Sequence, residues 1–108
     1  MMDEQQFRKA STEALLSLQR ALERASEDHS FDVDSKEGAL AIEFDDPPAK
    51  FVISPNSPVR QIWVSARVKS FKFDWDESRA AFVLPDGRTL AQLIADVVSE
   101  QIGEPVSL

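Results

Sequence analysis

The feature that most constrains the fold is a change of hydrophobic period along the chain. Over residues 4–28 the apolar side chains recur at helical spacing without an interrupting Gly or Pro. Over residues 31–84 they alternate with polar residues in short runs, separated by turns rich in Pro, Gly and Asp. Residues 90–102 return to helical spacing and precede Gly103 and Pro105, which are typical of a helix end. The predicted order is helix, strands, helix.

About six strands are predicted, at residues 31–34, 39–44, 51–53, 61–66, 71–75 and 82–84. Their connections are too short for the crossover that parallel neighbours need, so the strands must pair antiparallel. Both helices need a surface on which to bury their apolar stripes. One sheet face covered by both helices meets that need and leaves the other face in water. We therefore predict a single α+β domain over residues 1–108, a two-layer α/β sandwich.

The helix starts carry their own signals. Asp3 followed by Gln6, and Thr89 followed by Gln92, have the spacing of a capping box, in which each side chain bonds the other residue's backbone N–H.

Composition excludes several classes of site. The 108 residues contain no Cys, which rules out disulfides, Cys-ligated zinc, thiolate-held iron–sulfur clusters and Cys nucleophiles. A single His argues against a multi-His metal site. No apolar run approaches the roughly 18 residues of a membrane span, and the N-terminus lacks the apolar core of a signal peptide. A cytoplasmic protein without a membrane partner is expected.

The formal net charge of −7 is unevenly distributed. Residues 1–46 carry −7, residues 47–73 carry +5 and contain no acid, and residues 74–108 carry −5. Nonspecific nucleic-acid binding depends on clustered bases that neutralise phosphates, so the overall charge argues against such a partner. The basic middle stretch is either a solvated sheet face or a surface for a partner.

Acidic residues gather where the first helix passes into the first strand. Their carboxylates suit a hard cation bound weakly and exchangeably, or a basic protein surface, or simple solvation. Like charges four residues apart on a helix repel, and acids at a helix C-terminus oppose the helix dipole. Charge arrangements that locally oppose stability are expected at positions where the residues serve a function. His29 lies in this turn and could add one nitrogen ligand. The candidate metal residues are Glu23, Glu27, Asp28, Asp32, Asp34 and Glu37.

Strand alternation singles out Trp63. It shares a sheet face with Gln61 and Ser65, so if Ile62 points at the helices, Trp63 points at water. An exposed Trp among polar residues is a candidate contact for a partner. The alternative is that Trp63 lies flat beneath a loop or a long side chain. The candidate partner-binding residues are Gln61, Trp63, Arg60 and Arg67.

Catalytic motifs are missing. No nucleophile elbow surrounds a Ser, and three single glycines cannot form a phosphate-binding loop. Exposed acids give no reason for one carboxyl to have the raised pKa of a general acid. The protein is therefore not expected to be an enzyme.

Several segments resemble the frataxin family, most closely its bacterial branch. The most specific is the run Gln-Ile-Trp-Val-Ser at residues 61–65, preceded by Pro58. Phe-Asp-Trp at 73–75, Asp-Gly-Arg-Thr-Leu at 86–90 and the ending from Gly103 to Ser107 follow in matching order over essentially the whole chain. The resemblance implies a two-helix layer on an antiparallel sheet.

The resemblance also implies a small iron-binding protein of iron–sulfur cluster biogenesis. Such proteins associate with a cysteine desulfurase and its scaffold protein and modulate cluster formation. Glu23, Asp28, Asp32 and Asp34 match the family's acidic positions. The chain departs from the family's pattern at Arg20 and Arg24, which can pair with nearby acids and would repel a cation.

Three other functions stay open from the sequence. The acidic residues could serve a ferroxidase or iron-storage activity. The chain could be a metal-free protein-interaction adaptor. The sheet face could bind an anionic partner such as RNA, although single-strand binders offer several exposed aromatics. A monomer is expected.

Overall fold

The order of elements in the structure is helix, six strands, helix. The computed structural model describes residues 2–108. The six strands form one sheet in which every neighbouring pair is antiparallel and the spatial order follows the chain. This confirms the predicted α+β class and strand number. The elements are α1 (Glu4–Ser26), β1 (Asp32–Lys36), β2 (Ala39–Asp45), β3 (Pro48–Asn56), a 3₁₀ turn (Ser57–Val59), β4 (Gln61–Ala66), β5 (Lys69–Asp76), β6 (Ala81–Val83) and α2 (Leu90–Ile102).

Both helices begin at the predicted caps. Asp3 Oδ1 accepts the backbone N–H of Gln6 at 2.8 Å, and Gln6 Oε1 accepts that of Asp3 at 2.9 Å. Thr89 and Gln92 make the same reciprocal pair at the start of α2. Gly103 ends α2 at φ 72°, a left-handed conformation that costs glycine little. The two capping boxes satisfy backbone N–H groups that the first turn of each helix leaves without intrahelical partners.

Alternation divides the sheet into two faces. On the covered face, side chains from the central strands pack against the helices and are almost fully buried. Each apolar side chain buried in this way contributes about 1.5–3 kcal/mol. The largest fully buried side chains are Phe7, Phe51, Phe73, Leu22, Ile42, Ile53, Ile62, Leu93, Ile94, Val64 and Val98. The other face, which we call the open face, carries mainly polar residues.

A buried glutamine ties α2 to two turns of the sheet. Gln101 is 4% exposed, and its Nε2 donates to the Pro47 carbonyl oxygen at 2.9 Å. Its Oε1 accepts from Arg67 Nε at 2.5 Å. Arg67, one of the candidate partner-binding residues, therefore directs its guanidinium towards the helix layer at the β4–β5 turn and not onto the open face.

Neither helix of the described chain combines the length and the apolarity that crossing a bilayer requires. The 23 residues of α1 bury one side only, and charged residues occupy the other.

Candidate functional site: an acidic ridge and an open sheet face

The predicted metal residues lie along one edge of the molecule. Glu23 is in the last turns of α1, and Glu27 and Asp28 follow its end. Asp32 and Asp34 project from the same side of β1, which is an edge strand of the sheet. Their cross-strand partners are Glu43 and Ala41, while Val33 lies opposite the buried Ile42, so both aspartates are on the open face.

All six carboxylates are exposed, and we call them the acidic ridge: Glu23, Glu27, Asp28, Asp32, Asp34 and Glu37. Within residues 2–108 none of them is in an ion pair. The local pairing with Arg20 and Arg24 that the sequence allows is not formed in the part of the chain that the structure describes. The acidic ridge therefore keeps its charge uncompensated by direct contacts.

The acidic ridge does not form a ready-made coordination shell. Among residues 2–108 no three His, Asp or Glu side chains converge so that they could hold one metal ion. Glu37 occupies the β1–β2 turn, about 16 Å along the strand from Asp32. What the ridge offers is a row of oxygen donors and a negative field. Such an arrangement suits loosely bound hard cations or a basic protein surface.

His29 contacts a residue that the sequence pattern did not connect to it. Its Nδ1 lies 2.6 Å from Glu104 Oε1, just beyond the end of α2. The imidazole also stacks on the buried Phe31, with ring centroids 6.5 Å apart. This contact joins the turn after α1 to the C-terminal segment. Binding of a metal ion by His29 would therefore have to compete with the contact to Glu104.

Trp63 lies on the open face, as alternation predicts. It is 38% exposed, and its strand neighbours on this face are Ser54 and Lys72. The indole Nε1 donates to Gln61 Oε1 at 2.9 Å, and Lys72 Nζ is 4.9 Å from the ring centroid. A shallow groove of about 300 Å³ runs beside the ring, with Val52, Ser54, Ser65 and Ser70 among its lining residues. The open face thus presents one aromatic side chain beside hydroxyl groups.

Arg60 lies between the 3₁₀ turn and β4. It follows the 3₁₀ turn in a left-handed conformation, φ 55°, and its Nη1 donates to the Ser57 carbonyl oxygen. Its Nε is buried and has no hydrogen-bond partner in the described chain. Of the four candidate partner-binding residues, the structure therefore places Gln61 and Trp63 on the open face, whereas Arg60 and Arg67 bond elsewhere. Asp74, which accepts a hydrogen bond from Gln61, was not among the residues that the sequence pattern predicted.

The comparisons with known proteins agree with this architecture. A family model described as Frataxin-like domain matches residues 1–104. The chain belongs to the frataxin-like family. The family membership that the residue runs predicted is thereby confirmed.

Individual relatives cover most of the chain. The Iron-sulfur cluster assembly protein CyaY of Azotobacter vinelandii is 36% identical over 95 residues, which is 85% of this chain and 86% of the relative. Its counterpart in Dechloromonas aromatica is 32% identical over 107 residues, 99% of each chain. The solved structure of frataxin from Psychromonas ingrahamii has the same fold, with a TM-score of 0.84, 17% identity, and coverage of 98% of this chain and 97% of its own.

Neutralising part of the acidic ridge should stabilise the protein. Glu27 and Asp28 lie at the negative end of α1, and Glu27 is one turn from Glu23. We expect Glu27→Gln with Asp28→Asn to raise the free energy of unfolding by about 0.5 kcal/mol at low salt. The gain should fade at 1 M salt, where charges are screened within about 3 Å. Urea unfolding at both salt concentrations measures it.

The matched control is Glu4→Gln in the first turn of the same helix. Glu4 pairs with Arg8 at 2.6 Å and lies at the positive end of the dipole, so its loss should lower stability. If both variants change the free energy of unfolding in the same direction, unfavourable charge interactions within the acidic ridge do not destabilise the fold.

Proposed function

We propose that this chain serves iron–sulfur cluster assembly as a non-catalytic, iron-binding modulator that docks on a cysteine desulfurase and its scaffold protein. It acts as one domain over residues 1–108, in the cytoplasm and as a monomer. Relatives with the same family domain are named as iron–sulfur cluster assembly proteins. The observation that carries the proposal is the acidic ridge, whose exposed carboxylates have no ion-pair partners in the described chain.

Electrostatics supports docking on a basic surface. A row of uncompensated carboxylates on a chain of net charge −7 attracts a positively charged partner over a distance of about one Debye length. Because an exposed ion pair gains little, leaving these carboxylates unpaired costs the fold little and keeps them available to a partner. Trp63 supplies the complementary short-range contact, since exposed aromatic side chains often dominate binding energy at interfaces.

Iron is best described as an exchangeable cargo of the acidic ridge. Oxygen donors suit hard cations, but three or more of them must converge for tight binding, and the ridge spreads its donors along an edge. The carboxylates of Asp32 and Asp34, on one side of β1, and those of Glu23 and Glu27, one helical turn apart, would each hold an ion weakly. Ion capture of this kind selects by charge more than by geometry.

Weak binding predicts how the chain responds to metal. Titration of ¹⁵N-labelled protein with Ca²⁺ should shift, and with Fe²⁺ should broaden, the amide resonances of residues 23–37 with a Kd of about 10⁻⁴–10⁻³ M. Adding 0.5 M salt should weaken both responses. Resonances that change first around Asp86 and Asp96, which already contact Arg88, would place the ions outside the ridge.

Charge reversal on β1 tests docking. Asp32→Lys with Asp34→Lys should lower the affinity for the cysteine desulfurase about tenfold or more at low salt, and less at high salt. The control, Glu13→Lys with Glu100→Lys, changes net charge equally at exposed helix positions. Isothermal titration calorimetry measures both. Equal losses would assign the attraction to net charge alone, and unchanged affinity in the β1 variant would remove the acidic ridge from the interface.

Trp63→Ala tests the open face. Because the ring is outside the core, unfolding free energy should fall by less than about 1 kcal/mol. The affinity for the desulfurase–scaffold complex should fall about tenfold or more, as for an aromatic hot spot. Trp75 offers a control of the same residue type, since it packs edge-to-face on Phe82 at 5.0 Å and Trp75→Ala should mainly destabilise the fold. A large loss of thermal stability in Trp63→Ala would show that Trp63 is a core residue.

A further inference from the structure

The orientation of Trp63 depends on contacts that lie outside the hydrophobic core. The ring projects from the open face, so the helices do not hold it. Its described contacts are the hydrogen bond to Gln61, two residues earlier in β4, and the ammonium group of Lys72 on β5. A cation over an aromatic face is attracted by the ring electrons but does not determine where the indole N–H points. The hydrogen bond to Gln61 does determine it.

Gln61 can accept from the indole only in one orientation of its amide. Its Oε1 accepts from Trp63, and its Nε2 donates to Asp74 Oδ1 at 3.0 Å. Asp74 is the direct cross-strand neighbour of Gln61 in the antiparallel register. If the amide were reversed, its oxygen would face the carboxylate and its NH₂ group would face the indole N–H. Both contacts would then be repulsive, because a carboxylate only accepts and an indole N–H only donates.

We infer that Asp74 is a positioning residue for Trp63 and acts through Gln61. The carboxylate fixes the amide, the amide fixes the indole N–H, and Lys72 covers one face of the ring. A side chain held in this way loses less conformational freedom when it binds, and this loss is a main cost of forming an interface. The inference rests on the proposed function, in which Trp63 contacts the partner. It adds that the open face is prepared for this contact before the partner arrives.

The first measurement needs no partner. In Asp74→Ala the indole N–H resonance of Trp63 should shift, and its exchange with solvent should become faster, because Gln61 is free to turn. In Asp74→Asn, which keeps an acceptor oxygen at the same place, most of the wild-type signal should return. Glu100→Ala removes the same charge from an exposed position on α2 and should leave the indole unchanged. An unchanged indole in Asp74→Ala would overturn the inference.

The second measurement asks whether Asp74 acts through Gln61. Asp74→Ala should lower the affinity for the desulfurase–scaffold complex about fivefold, comparable with the loss of one hydrogen bond. In a Gln61→Ala background the same change should have no further effect, since the connection is already broken. Additive losses would mean that Asp74 contacts the partner directly, which overturns a positioning role. If the wild-type chain binds neither protein, the proposed function fails, while the indole signal still decides the inference about Asp74.

Discussion

The burial of one sheet face under two helices is the constraint on which the rest of the structure depends. Both helices cover the same side of the six-stranded sheet, so strand alternation sends Ile62 and Val64 into the core and leaves Trp63 at the surface. The same alternation places Asp32 and Asp34 on the open face, with Val33 turned towards the core. The hydrophobic core and the candidate binding surfaces thus both follow from strand alternation, because one face of the sheet forms the core and the other carries the candidate binding residues.

Local signals were sufficient to predict the elements, their pairing and the family. These signals are the change of hydrophobic period, the capping boxes at Asp3 and Thr89, and the short turns. Each acts within a few residues, so tertiary contacts did not change the outcome. The position of Trp63 followed from alternation in the same way. The number of strands followed from the alternating runs, and the two-layer arrangement followed from the need of both helices for an apolar surface.

Side-chain contacts between distant residues could not be predicted. Arg67 bonds Gln101, 34 residues away, and His29 lies against Glu104, 75 residues away. No periodicity relates such pairs, because each depends on where separate elements end in space. The lack of pairing between the ridge acids and Arg24 could not be predicted either, although these residues are close in the sequence. Helical spacing permits that ion pair, but an exposed pair gains so little that spacing alone does not ensure it.

In the proposed docking, the acidic ridge and Trp63 would act over different distances, and this difference would give each a separate part. Uncompensated carboxylates attract a basic partner before contact and mainly raise the rate of encounter, an effect that salt reduces. An aromatic ring in van der Waals contact acts only after docking and mainly slows dissociation. The edge strand β1 joins the two, because Asp32 and Asp34 belong to the ridge and also lie on the face that carries Trp63. A partner drawn in by the ridge would therefore meet the aromatic ring on the same continuous surface, without any rearrangement of the fold.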